Sequence, residues 1–117
     1  MTMTPFAFAQ RWFCLCAALL IVAVLFYLGA RPIAVGLFPG PFDKLAHLVL
    51  YFVIATLLWI AFDGRLPLLT VALASFIGAL DEWHQASLPG RSADFADLLA
   101  DVVAAVLAVA LLRWWRR

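Results

Sequence analysis

The stretch WFCLCAALLIVAVLFYLGA, residues 12–30, contains no Asp, Glu, Lys, Arg or His and stops at Arg31-Pro32. A helix rises 1.5 Å per residue, so about 20 apolar residues cross the ~30 Å hydrocarbon core of a bilayer. This run has that length, and Pro32 ends it because proline cannot donate the next helical hydrogen bond. Its apolar core is longer than that of a secretory signal peptide. Leu28-Gly29-Ala30 also lacks a small residue at the −3 position, so the run reads as a signal-anchor helix.

The rest of the 117-residue chain is of the same kind, 68% hydrophobic and 13% charged, which excludes an ordinary soluble domain. Three more runs follow, at about 43–62, 67–85 and 93–112. The segment from Arg31 to Phe42 holds Pro32, Gly36, Pro39, Gly40 and Pro41, too many breakers for a regular helix. Asp63-Gly64-Arg65 is a tight turn. Pro67 suits the first turn of a helix, and Ser87 to Ser92 makes the last break. The expectation is a single all-α domain over residues 1–117, an integral membrane bundle of four transmembrane helices.

Arg11, Arg65, Arg113, Arg116 and Arg117 fall on one side of that bundle, and Arg31, Lys44 and Arg91 on the other. The excess of basic residues puts both termini in the cytoplasm and the polar motifs outside. Trp114 and Trp115 suit an interfacial position at the end of the last helix.

Asp43, His47 and Tyr51 stand at i, i+4 and i+8, one stripe reaching about 12 Å along the second helix. Asp94, Asp97 and Asp101 stand at i, i+3 and i+7, a stripe of about 10 Å on the fourth. Asp81 and Gln85 make a third pair beside Glu82. A charge near the bilayer centre costs about 2.5–3.5 kcal/mol even on the lenient insertion scale, so these stripes must face one another. The result is an outward-opening polar cavity in which Asp97, His47, Asp81 and Glu82 are candidate catalytic groups. Arg91, Lys44, Asp43, Tyr51, Gln85 and Asp101 are candidate binding groups.

Each stripe also has a plainer reading. The polar groups can be mutually satisfied packing glue, Asp94 a helix cap, and His84 an interfacial side chain. Two carboxylates one turn apart, Asp97 and Asp101, are costly as mere packing, which favours function there. No metal is assigned, since the set has no dedicated signature such as His-Glu-x-x-His. The cofactor stays unknown. Cys14 and Cys16 point about 200° apart and read as helix packing. Scattered basic residues and a net charge of +1 leave no nucleic-acid face.

Asp43-Lys44-x-x-His47-x-x-x-Tyr51, followed by Asp81-Glu82-x-x-Gln85-x-x-x-Pro89-Gly90-Arg91-x-x-x-x-x-Asp97, resembles the pattern of the VanZ-like proteins across most of residues 43 to 105. Where that pattern commonly has Asn and then Gly, this chain has Asp101, Ala104 and Ala108. The resemblance implies a small multi-pass protein of the bacterial inner membrane, in a family named for a member associated with low-level resistance to the glycopeptide teicoplanin. It supplies no reaction. Two functions stay open: binding or modifying a lipid headgroup or lipid-linked cell-envelope precursor, and a non-enzymatic role as an oligomeric transport or assembly partner. The expected partners are the bilayer, such a lipid, and a second copy of the chain.

Overall fold

A computed structural model describes residues 5–117. Four helices run α1 Phe8–Gly29, α2 Pro41–Ala61, α3 Pro67–Ala86 and α4 Phe95–Trp115, with one 3-10 turn at Pro32–Ala34 and no strand among the described residues. Helix α1 begins at Phe8 rather than near Trp12, because Arg11 is accommodated within it and donates from Nε to the Ala61 carbonyl at 3.0 Å. Prolines at the first positions of α2 and α3 cost no hydrogen bond, since those amides lie outside the helical ladder.

Helices α1, α2 and α4 are long and apolar enough to cross a membrane, as a multi-pass membrane protein requires. Helix α3 has similar length but carries Asp81, Glu82, His84 and Gln85 in its last turns. The helices alternate in direction. Lys44 at the start of α2 bonds Asp94 at the start of α4, and the Asp94 amide donates to Glu82 near the end of α3.

The core follows from residue size. Ala55 of α2, Ala74 of α3, and Ala105 and Ala108 of α4 form one buried cluster. Tyr51, Ile54 and Leu58 pack with Ala104 and Ala18 in another. Small side chains let helix backbones approach closely, which drives association where lipid is as apolar as leucine. Cys14 is buried and Cys16 exposed, both as free thiols, as their angular separation requires.

At the end opposite the polar stripes, Asp63 ties the chain together. Its φ is 57°, a left-handed conformation that Asp tolerates better than most residues. Its Oδ1 accepts from the Phe6 amide at 2.8 Å, and its backbone carbonyl accepts from Arg116 at 2.8 Å. The Arg116 guanidinium also lies 4.4 Å from the Phe6 ring and 4.8 Å from the Trp59 ring. A Cβ on Gly64 would stand 2.6 Å from Arg116 and 2.7 Å from Trp59, so only glycine lets the turn lie under them.

The Phe6 amide, with Arg65 and Arg116, holds the Asp63 carboxyl below the usual aspartate range. A depressed carboxyl contributes stability that is complete above its unfolded value of about 4 and is lost as pH falls through the lower folded value. Asp63→Asn keeps the backbone conformation but removes the charge. It is expected to cost about 1–3 kcal/mol at neutral pH, seen as a lower melting temperature in detergent micelles. The gap from wild type should close below about pH 4; a gap unchanged at low pH would show that the charge is not what Asp63 contributes.

Candidate functional site

Six of the seven acidic residues, all but Asp63, lie at the end where α1 and α3 finish and α2 and α4 begin. Helical periodicity aligns each stripe, and burial deepens along it. Asp43 is half-buried, while His47 and Tyr51 are buried; Asp94 is exposed, while Asp97 and Asp101 are buried.

Lys44 joins the outer members. Its ammonium donates to Asp94 Oδ2 at 2.7 Å and to Asp97 Oδ1, and lies 3.6 Å from Asp43 Oδ2. Asp94 is also the cap of α4, accepting from the Ala96 amide at 2.9 Å. The Lys44 bond, reinforced by that amide, holds the Asp94 carboxyl below its usual range. The capping role read from the sequence is therefore present, with an interhelical ion pair added to it.

One turn deeper, His47 Nδ1 and Asp101 Oδ1 are 2.8 Å apart, a bond that an ionised Asp101 accepts. His47 Nε2 lies 3.8 Å from Asp97 Oδ2 and 3.9 Å from Asp43 Oδ1. The imidazole stacks on Tyr51, with the ring planes 3° apart. Asp101 is fully buried, and its second oxygen has no hydrogen-bond partner. That oxygen faces Gly78, where a Cβ would come within 2.7 Å of it and 3.0 Å of the Asp101 Cβ.

On α3, Gln85 donates to Asp81 Oδ2 at 3.2 Å, and Glu82 Oε2 accepts the Asp94 amide at 2.8 Å. Two sets of side chains bring potential metal donors within 4.8 Å of one another: Asp43, His47 and Asp97, and His47, Asp81 and Glu82. Arg91 donates to the Ala34 carbonyl at 2.9 Å, pinning the α1–α2 connection to the site, and no carboxylate pairs with it among the described residues. His84 lies against Phe26 of α1, ring centres 5.3 Å apart, outside the acidic cluster.

These groups form one side of a crevice of about 970 Å³. Asp43, Lys44, His47, Asp81, Gln85, Arg91 and Asp97 line that side. Leu20, Val24 and Leu28 of α1, with Ile33, Leu37 and Phe38 of the following connection, line the other. Seven of the ten residues read as candidates from the sequence thus line the crevice, while Tyr51, Glu82 and Asp101 are buried outside its lining. Sequence reasoning missed the Ala34 carbonyl, the apolar wall and Gly78. Only Gly78 carried a local signal: a glycine inside a helix costs stability unless something needs the space.

Among comparisons with known proteins, a family model described as VanZ/LLP1 matches residues 1–116. No curated protein and no solved structure matches the chain.

Gly78→Ala separates two opposing effects. Alanine gains about 1 kcal/mol of helix propensity, while overpacking costs about 1–3 kcal/mol. The overpacking should win, because Asp101 is held by His47 and cannot swing aside. A net loss of up to about 2 kcal/mol in micelle unfolding experiments is expected; a raised melting temperature would show that the α3–α4 approach has slack.

Proposed function

The chain belongs to the VanZ/LLP1 family, and we propose that its crevice binds an amphiphile, either a membrane lipid or a lipid-linked envelope precursor. The observation that carries this reading is the division of one 970 Å³ crevice into an apolar wall and an ionisable floor. Acyl or prenyl chains fit along Leu20, Val24 and Leu28, and the headgroup at the opposite side. Arg91 spends one nitrogen on Ala34, and its remaining donors suit a phosphate oxygen. The carboxylates of Asp43 and Asp97 suit hydroxyl or ammonium groups of the same headgroup. His47, Asp97, Asp81 and Glu82 are placed in this reading as the acid–base groups for any modification of that headgroup.

In the same reading α3 is a fourth crossing. Its apolar part, Leu68 to Leu80, spans most of the hydrocarbon, and its polar end reaches the headgroups. The basic-residue excess supports cytoplasmic termini in a bacterial inner membrane, with the crevice facing out. An effect on glycopeptides such as teicoplanin then follows indirectly, from a changed outer surface.

Two measurements test this. Wild-type protein purified in mild detergent should retain about one phospholipid or precursor per chain, enriched over the membrane average in mass spectrometry of the extract. Arg91→Gln removes a charge-assisted contact worth about 1.5–3 kcal/mol and should lower retention about tenfold or more; equal retention would count against a headgroup at Arg91. For the side of the membrane, a single cysteine at Ser87 in a Cys14→Ser, Cys16→Ser background should react with an impermeant thiol reagent before the inner membrane is broken. Reaction only after lysis would turn the search toward cytoplasmic ligands.

A further inference from the structure

We infer that His47, Asp81 and Glu82 form a binding site for one divalent cation. Most carboxylates at this end of the bundle have cationic partners. Lys44 serves Asp43, Asp94 and Asp97, and His47 serves Asp101. Asp81 and Glu82 are left, adjacent in sequence and only 2% and 7% exposed, with no Lys or Arg pairing either among the described residues. Their hydrogen bonds come from neutral donors, the Gln85 amide group and the Asp94 backbone. Two neighbouring buried carboxylates without a counter-charge are expensive, and a cation removes that cost.

A second observation points the same way. Glu82 Oε1 is buried without a hydrogen-bond partner. The Tyr51 hydroxyl is buried beside the same carboxylates, Asp81, Asp101 and Glu82. The donor atoms of His47, Asp81 and Glu82 already lie within 4.8 Å of one another. Asp101 holds His47 Nδ1 at 2.8 Å, so Nε2, 3.8 Å from Asp97 and 3.9 Å from Asp43, is the ring nitrogen without a hydrogen bond, and metal-bound histidines are commonly oriented by a carboxylate in this way.

The competing set, Asp43, His47 and Asp97, is already occupied by charge, because the Lys44 ammonium sits between its two carboxylates. One nitrogen and two carboxylates suit Mn²⁺ or Zn²⁺ and leave positions for water or a ligand oxygen. His47 and Asp81 also line the crevice, so a bound cation faces whatever occupies it. The inference stands on the cluster alone and does not require that occupant to be a lipid.

The test uses the full chain, purified through a chelator step in micelles and titrated with Mn²⁺ alone, with free Mn²⁺ followed by electron paramagnetic resonance. One Mn²⁺ per chain is expected, displaced by Zn²⁺. Asp81→Asn and Glu82→Gln should each weaken binding about tenfold or more, and Asp43→Asn less than about threefold. Glu82→Asp keeps the charge and should bind within about threefold of wild type, and an unchanged helical circular dichroism spectrum of Glu82→Gln separates lost binding from lost folding. Absence of stoichiometric Mn²⁺ on the wild-type protein overturns the inference. So does loss of binding in Asp43→Asn with Glu82→Gln unaffected. No lipid enters this titration, so its failure leaves the amphiphile reading standing, and failure of lipid retention leaves the cation site standing.

Discussion

The Lys44 ammonium is the contact from which the rest of the polar end takes its register. Asp43, Asp94 and Asp97 would repel one another across α2 and α4, and in a low-dielectric bundle that repulsion is weakly screened. One cation among the three turns repulsion into attraction and fixes the start of α2 against the start of α4. Everything deeper follows by helical repeat. His47 meets Asp101, Tyr51 and Ile54 meet Ala104, and Ala55 meets Ala105 and Ala108. A slip of one turn, about 5.4 Å, would break the ion pairs and the alanine packing together.

Much of this was legible in the sequence because it is periodic. Residues three, four, seven or eight apart on a helix share a face whatever that helix packs against, so the stripes of α2 and α4 could be written down directly. Asp94 as a cap was legible for a related reason, since a carboxylate before an apolar helical run answers amides left free by the helix itself. The unreadable parts join residues far apart in sequence. Nothing local says that Arg91 reaches the Ala34 carbonyl, or that Asp63 receives the Phe6 amide. The places where the VanZ-like pattern commonly has Asn and Gly are instructive here. Asp101, Ala104 and Ala108 are all buried, and the two alanines keep the smallness that the α2–α4 contact needs.

Mutual satisfaction accounts for only part of the polar end. Around Lys44 and His47 the charges are paired and the packing reading suffices. Around Asp81 and Glu82 it does not, because Glu82 Oε1 and Asp101 Oδ2 remain buried without partners. The boundary between the two regions runs through the His47 ring, which gives one nitrogen to the satisfied side. Beside the unsatisfied region the bundle is open, since α1 buries only Cys14 and Ala18 and leaves its apolar flank along the crevice.

The Asp63 turn gives the chain a closed circuit. Phe6 and Arg116, near opposite ends of the sequence, meet at one residue, so the chain closes a ring in connectivity. Terminal helices ordinarily fray independently, each from its own tip. Here loosening either tip takes a partner from the other, and the two ends must open in concert.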